Sequence, residues 1–338
     1  MGIIVEVIEI EGKDLDKWDK LVDSSVQGTI FQKTDWLFSF RDNSNARLKI
    51  YGCFHQGDLV GGCAVFVRNK ALFKEAVSTM NMMPYNGVLL SPDPSKHQNS
   101  RNDRAWKIIK TLIDAMGNEH FQKISLRNSY DFVDIRPFLW NGWTGSIYYT
   151  HTLDLSDNIL SNMDKSGRQC YQKGLKGKFA IKKLADPQAY YKLLEMTLIK
   201  KGVKHFPTVD LFNRVLGANG HKPLAEMWVA QAPTGEIASS QIIAFDAKRA
   251  YIWSEATHTN YRGSGSNCLL QQEVYKDLFA RDFKEVDIFR GNVPQLAVYA
   301  SHLNPRLTPY FVVEKMSLSY KFASVVYESM AAFTRPRN

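Results

Sequence analysis

A glycine-bearing turn in the second half of the chain has the residue types from which an anion site is built. It reads Arg262-Gly263-Ser264-Gly265-Ser266-Asn267, follows an apolar strand pattern at Ala250–Trp253, and precedes a helical pattern at Cys268–Arg281. Backbone N–H groups in the first turn of a helix have no partner within the helix, and the helix dipole favours negative charge there. Glycine lets a ligand come close to the backbone. All six turn residues are therefore predicted to bind a phosphate.

A basic stretch at the predicted domain junction could hold a second anion. No Asp or Glu occurs between Lys165 and Lys183. On a helix, Arg168 and Lys173 would lie about a turn and a half apart, a spacing that suits a diphosphate or a tRNA backbone. A solvated helix face is the alternative interpretation. The lack of acidic residues favours anion contact, so Arg168 and Lys173 are predicted to bind substrate. The seven cations of the stretch are Lys165, Arg168, Lys173, Lys176, Lys178, Lys182 and Lys183.

Length and charge limit what such sites could serve. The 338 residues are enough for two domains. Lys and Arg number 43 and Asp and Glu 34, which gives a net charge of +9. This excess predicts an anionic partner such as a nucleotide, tRNA or a phosphorylated or lipid-linked precursor. A soluble protein that is merely basic is the alternative.

Cysteine spacing and hydropathy indicate the class of protein. Cys53, Cys63, Cys170 and Cys268 form no CxxC pair, so we expect reduced and mostly buried thiols. No HExxH or paired CxxC spacing predicts a metal site. The N-terminus lacks the pattern of an export signal, and no apolar run approaches the ~18 residues of a membrane span. These features predict a cytoplasmic enzyme or binding protein without a transmembrane segment.

The order of the predicted elements repeats along the chain. Each half reads helix, helix, hairpin, strand, helix, strand, and the hairpins turn at Gly57 and Gly235. The helices before the second hairpin are predicted at Gln188–Lys201 and Val209–Leu216. Chance likeness of two α+β patterns is the alternative to duplication. The agreement in order predicts two domains, residues 1–150 and 151–338.

Several motifs in this frame resemble a known family. They are Gly28-Thr-Ile-Phe-Gln-Lys-Thr-Asp-Trp36, Pro84-Tyr-Asn-Gly-Val-Leu-Leu-Ser-Pro92, the basic Arg168–Gly174, and the segment Ala250–Tyr310. Together they look like the Fem-type aminoacyltransferases and the related GNAT-domain acetyltransferase-like proteins of cell-wall and exopolysaccharide synthesis. The resemblance covers nearly the whole chain. It implies an α+β fold of two tandem GNAT-like domains, each a mixed sheet flanked by helices.

The resemblance also implies an activity, namely transfer of an acyl or aminoacyl group to an amine of a cell-wall or exopolysaccharide precursor. The donor would be acyl-CoA or aminoacyl-tRNA, used as a substrate and not as a tightly bound cofactor, and precursors linked to a membrane would require peripheral contact. Compared with the usual pyrophosphate loop of GNAT enzymes, Asn267 departs at the sixth position. No long helical arm of the kind that grips tRNA is predicted between Gln188 and Lys222. The alternative is a noncatalytic GNAT-fold protein that binds an anionic ligand or nucleic acid.

Catalytic candidates follow from the same resemblance. Glu255 ends the strand before the glycine-bearing turn, where a general base would lie; a strand-end Glu paired to Arg262 or a nearby Lys is the alternative. Asp287 lies within an apolar strand and is either hydrogen-bonded for structure or functional. Tyr299 and Tyr310 are predicted proton donors to the leaving group. In the first half, Lys33, Trp36 and Arg41 are predicted to contact the acceptor substrate.

Overall fold

The protein consists of two compact units. A computed structural model describes residues 3–200 and 207–334. The first unit combines Met1–Ile147 with Tyr310–Asn338, and the second is Tyr148–Pro309. The predicted division placed everything from residue 151 onward in the second domain. The two divisions differ mainly in the segment that starts at Tyr310, which lies with the first unit.

The elements alternate between strands and helices along the chain. The first unit contains β1 (Glu6–Glu9), α1 (Leu15–Ser24), α2 (Thr34–Asp42), β2 (Arg47–His55), β3 (Asp58–Lys70), β4 (Phe73–Val77), β5 (Leu89–Leu90), α3 (Gln98–Gly117), β6 (Lys123–Arg127) and α4 (Arg136–Trp140). Strand β7 (Thr144–Asp154) leads into the second unit, which contains α5 (Lys165–Lys176), β8 (Ala180–Lys183), α6 (Pro187–Lys200), α7 (Val209–Val215), β9 (Ala225–Gln231), β10 (Ile237–Phe245), β11 (Ala250–Thr257), α8 (Ser266–Ala280), β12 (Glu285–Phe289) and α9 (Pro294–Ser301). Strand β13 (Arg306–Met316) leads back to the first unit, and α10 (Leu318–Thr334) follows it.

The sheet of the first unit runs in the order β1-β2-β3-β4-β6-β13, with β5 paired to β3. Neighbours are antiparallel except β4 and β6, which are parallel. The end of β13 pairs with β6, so that Val312 lies opposite Arg127 and Met316 opposite Lys123. This pairing places the segment after Tyr310 in the first unit.

The sheet of the second unit repeats the plan, in the order β8-β9-β10-β11-β12-β7. Here too one pair, β11 and β12, is parallel and the other neighbours are antiparallel. The hairpins β2–β3 and β9–β10 turn through glycines with positive φ, +86° at Gly57 and +90° at Gly235, a backbone that other residues adopt at a cost. The two units share one topology, and the predicted α+β fold class is confirmed.

Each sheet is covered by one long helix whose apolar side chains form the core. In the first unit, α3 contributes Ile108, Ile109, Leu112, Ile113 and Met116. In the second, α8 contributes Leu270, Val274, Tyr275 and Leu278. The helix predicted at Gln188–Lys201 is found as α6, although Lys201 lies outside the described residues. In the described part of the chain, no helix has the length and apolar character needed to cross a membrane.

The cysteines differ from the expectation that all four are reduced. Cys170 on α5 and Cys268 on α8 form a disulfide, with their Cα atoms 5.9 Å apart. The two helices approach closely because glycines meet at the contact, Gly174 on α5 and Gly265 just before α8. A Cβ on Gly174 would lie 2.5 Å from the carbonyl oxygen of Gly265. The expectation is thus wrong for this pair. Cys53 and Cys63 are buried and free, as predicted.

Candidate active site

The parallel strands β11 and β12 separate after a short paired stretch. Ala250 lies opposite Val286 and Tyr251 opposite Asp287, and the described pairing ends there. Strand β11 continues to Thr257, whereas β12 ends at Phe289. Phe289 and Arg290 have φ values of 55° and 63°, a left-handed conformation that is uncommon outside glycine and often found at functional sites. We call the region beside β11 beyond this pairing, where β11 continues without a described partner on the β12 side, the gap.

Asp287 stabilises this turn. Its side chain is completely buried, and its Oδ1 accepts hydrogen bonds from the backbone N–H of Phe289 at 2.9 Å and from the Thr150 hydroxyl at 2.6 Å. A buried carboxylate requires such partners. These bonds correspond to the structural role that the sequence left open for Asp287.

Glu255 and Arg290 form an ion pair in the gap. The Arg290 guanidinium donates to Oε2 of Glu255. The Arg290 side chain is only 5% exposed, while that of Glu255 is 28% exposed and remains accessible to solvent. Burial acts to lower the pKa of Arg290, but Glu255, together with Tyr275 and Tyr299, raises that pKa overall, so the guanidinium stays charged. Among the described residues, the ion-pair partner of Glu255 is thus Arg290 and not Arg262 or a lysine, as the alternative interpretation had it.

Tyr299, on α9, joins the same cluster. The Arg290 guanidinium lies 5.2 Å from the centre of the Tyr299 ring, and the Tyr299 hydroxyl is 3.4 Å from Nδ2 of Asn267 and 3.4 Å from Sγ of Cys268. Burial, followed by the charge of Glu255, raises the pKa of Tyr299. Its phenol therefore stays protonated at neutral pH and can serve as a proton donor.

One side of α8 supplies the polar wall of the cluster. Asn267, Gln271 and Tyr275 are spaced four residues apart and so lie along one side of the helix. Oriented to match its neighbours, the Gln271 amide oxygen accepts from Arg290 at 3.0 Å. From β10, Nε2 of Gln241 lies 3.3 Å from Oδ1 of Asn267 and 3.5 Å from Oε2 of Glu255.

Sequence reasoning missed Arg290, Gln271 and Gln241. Two signals could have found the first two, whereas Gln241 carries no signal of its own. The amides Asn267 and Gln271 recur four residues apart on one side of a helix, and an arginine directly after a buried strand is unusual.

The predicted anion loop is only partly open to a ligand. Arg262 and Gly263 are exposed, but Gly265 and Ser266 are buried. The Ser266 hydroxyl lies 2.6 Å from that of Ser239, and Asn267 turns toward the cluster. A Cβ on Gly265 would lie 2.3 Å from the backbone nitrogen of Gly174, so α5 covers the loop at this point.

The basic stretch forms a groove on the outer face of α5. An open cavity of about 350 Å³ is lined by Lys165, Arg168, Gln169, Gln172, Lys173 and Lys176. Both predicted substrate-binding residues of this helix, Arg168 and Lys173, thus line one groove. Arg168 also donates to the backbone carbonyl of Met163. Lys183, from the same stretch, instead pairs with Glu226 at 3.0 Å.

The remaining predicted residues lie in the first unit. Lys33 pairs with Asp23 at 2.6 Å, and Nε of Arg41 with Asp42 at 2.7 Å. Trp36 has no exposed surface and packs edge-on against Phe31 at 5.0 Å, so in this structure it is a core residue. Tyr310 is buried against the ring of Tyr85 at 5.2 Å. The structure therefore brings Glu255, Tyr299 and Asn267 together in the second unit and places Tyr310 in the first.

No model of a protein family matches the sequence, and no curated protein matches it. Solved structures do match. The crystal structure of FemX is similar over 90% of this chain and 96% of its own, with a TM-score of 0.66 and 12% identity.

Two further structures are similar over nearly their whole length. The C-terminal domain of a putative lysylphosphatidylglycerol synthetase from Agrobacterium fabrum matches with a TM-score of 0.56 and 10% identity, over 93% of this chain and 95% of its own. A tandem GNAT protein from the clavulanic acid biosynthesis pathway matches with a TM-score of 0.52 and 14% identity, over 92% and 98%. By its fold, this chain is similar to FemX and to a tandem GNAT protein, as the resemblance implied.

Proposed function

We propose that the protein is an acyltransferase that moves an acyl or aminoacyl group to an amine of a cell-wall or exopolysaccharide precursor. The observation that carries this proposal is the cluster of Glu255, Arg290 and Tyr299 in the gap beside β11. It offers a carboxylate, a fixed cation and a protonated phenol. The fold supports it, because FemX and a tandem GNAT protein share that fold.

These three groups match the needs of amide formation. The amine nitrogen attacks the carbonyl carbon of a thioester or ester; a C–N bond forms, and the C–S or C–O bond then breaks. Glu255, still 28% exposed, accepts the proton that the amine loses. Arg290 stabilises the negative charge that develops on the carbonyl oxygen. Tyr299 donates a proton to the departing thiolate or ribose oxygen.

The groove on α5 is the proposed site for the acceptor's phosphates. Its cations, Lys165, Arg168, Lys173 and Lys176, lie on the helix that the Cys170–Cys268 disulfide joins to α8. Cys268 in turn lies beside the Tyr299 hydroxyl. A precursor bound through its phosphates would thus be held on an element attached to the cluster, and such fixed geometry favours reaction.

The donor, acyl-CoA or aminoacyl-tRNA, would approach the exposed part of the loop at Arg262 and Gly263. Because Ser266 and Asn267 face the interior, fewer groups remain for a pyrophosphate than the sequence suggested. A donor that needs little contact with this loop, such as aminoacyl-tRNA, is compatible with this arrangement.

Ligand-dependent unfolding tests the donor. Coenzyme A, acetyl-CoA and bulk aminoacyl-tRNA are each titrated while the unfolding midpoint is measured. A ligand that binds only the native state at a hundred times its Kd stabilises it by about 2.7 kcal/mol. The true donor should also give an acylated amine product, which Glu255→Gln abolishes and Glu273→Gln, a change at an exposed ion pair with Lys276, does not.

The alternative is a noncatalytic protein that binds an anion in the α5 groove. The inward orientation of Ser266 and Asn267 favours it, because these side chains leave less of the loop for a donor. Phosphorylated acceptors that bind with no turnover by any donor, and with equal affinity in Glu255→Gln, would support it over the enzyme.

A further inference from the structure

The C-terminal helix α10 presents an apolar stripe to solvent. Leu318 is 84% exposed, Phe322 76%, Val325 62% and Val326 43%. At about 100° per residue, these four positions fall within an arc of about 100° on one side of the helix. Single exposed apolar residues are ordinary, but a stripe of large ones usually marks an interaction surface.

The opposite side of α10 attaches the helix to the first unit. Tyr320 packs edge-on against Phe73 at 5.1 Å, and its hydroxyl donates to the buried carboxylate of Glu75. Tyr320, Ala323 and Ser324 line a cavity of about 530 Å³ together with Phe73. The helix is therefore held by one face while the apolar stripe points outward.

The tip of the hairpin between β3 and β4 adds to this surface. Lys70 and Ala71 line the same cavity as Ala323 and Ser324. The adjacent Leu72 is 95% exposed at the turn. An apolar side chain and a lysine thus stand at the loop that adjoins α10.

Two exposed lysines belong to these elements. Lys321 is exposed on α10 and Lys70 on the hairpin, and no acidic residue occurs in the sequence between Lys315 and Glu328. Arg335 and Arg337 follow the helix in the sequence. Apolar residues beside Lys and Arg are the composition of helices that lie in the interface of an anionic bilayer.

We infer that α10 and the adjoining hairpin tip, which together we call the docking face, bind the surface of an anionic membrane. The apolar stripe would enter the boundary between headgroups and acyl chains, with Lys70 and Lys321 among the lipid phosphates. A second copy of the chain fits less well: in a two-fold dimer the same patch lies on both sides of the interface, which would bring the lysines of both copies together. The inference does not depend on the proposed acyl transfer.

Vesicle co-sedimentation of the full chain tests this. Vesicles of phosphatidylcholine alone are compared with vesicles that also contain phosphatidylglycerol. We expect binding to the anionic vesicles, weaker binding to neutral ones, and weakening at high salt. In Leu318→Ser/Phe322→Ser, partitioning onto anionic vesicles should fall by at least about tenfold, because two apolar side chains that would be buried in the bilayer are lost.

Controls separate docking from loss of folding. Val26→Ser/Val133→Ser removes two other exposed apolar side chains of the first unit, 61% and 71% exposed, and should leave partitioning unchanged. Lys70→Glu/Lys321→Glu should weaken binding to anionic vesicles only. The inference is overturned if the native chain binds neither vesicle, if the control variant loses as much binding, or if light scattering shows a dimer that Leu318→Ser/Phe322→Ser dissociates.

Discussion

Arg290 bonds to Glu255 across the gap between β11 and β12, although the two residues are 35 positions apart in the chain. The contact depends on the left-handed turn at Phe289 and Arg290, which Asp287 stabilises through its bond to the Phe289 N–H. A nearly buried cation is therefore held in place by a carboxylate that is itself accessible to solvent.

This asymmetry predicts unequal effects on stability. Glu255→Gln leaves the Arg290 charge buried without its counter-ion and should cost on the order of 3 kcal/mol. Arg290→Met leaves a partly exposed carboxylate and should cost less, and the double variant should be more stable than Glu255→Gln alone. Urea unfolding of the four proteins measures this coupling. Strictly additive free energies of unfolding would contradict a direct interaction.

Tyr299→Phe isolates the proposed proton donor. The change keeps the ring beside Arg290 and removes only the hydroxyl, so kcat should fall by roughly 10²–10⁴ with little change in KM. A donor must be protonated, and the pKa of Tyr299 is raised above its usual value. The activity of the wild type should therefore not decline through loss of this proton below about pH 10. Tyr191→Phe, on α6, serves as the control; an equal loss of kcat there would argue against a specific role.

The α5 groove should govern binding of the acceptor. Lys173→Gln/Lys176→Gln removes two cations that line it, and KM for a phosphorylated acceptor should rise roughly tenfold while kcat is unchanged. The dependence of KM on salt should also weaken, because fewer charges contribute. Lys192→Gln, an exposed lysine on α6, provides the matched control. A fall in kcat with KM unchanged would place these lysines outside the binding step.

The disulfide should stabilise the second unit. Cys170 and Cys268 are 98 residues apart, and a bond that closes a long loop typically contributes about 2–4 kcal/mol. A reductant should thus lower the midpoint of unfolding of the wild type and leave that of Cys170→Ser/Cys268→Ser unchanged. Cys53→Ala, which alters a buried free thiol, should keep the sensitivity to reductant. If the wild type and the double serine variant respond alike, the two thiols are not bonded.

Helices and hairpins whose signal lies in neighbouring residues were predicted from the sequence. The hairpins at Gly57 and Gly235 and the helix α8 follow from alternation, positive φ at glycine and helical period, all of which are properties of neighbouring residues. The assignment of residues after Tyr310 differed from the structure because the pairing of β13 with β6 joins positions nearly two hundred residues apart. Register of that kind leaves no local signal.

The candidate site was predicted in part, for the same reason. Glu255 and Tyr299 could be proposed from a family resemblance and Asn267 from the glycine-bearing turn, and the structure places all three in one cluster. Arg290 and Gln271 required the fold, since neither has a chemical motif of its own. Trp36 shows the opposite case: it was predicted to contact the acceptor substrate, and in the structure it is a core residue.

The sequence by itself determined the repeated order of elements, the positive charge and the glycine-bearing turn, because each is carried by composition or by residues close together in the chain. Only the tertiary structure decided what that turn faces. The glycines Gly174 and Gly265 let α5 approach α8, which brings Cys170 to Cys268 and covers part of the loop. The separation of β11 from β12 sets Glu255 against Arg290. Such contacts arise from packing between distant segments, which no local pattern of residues encodes.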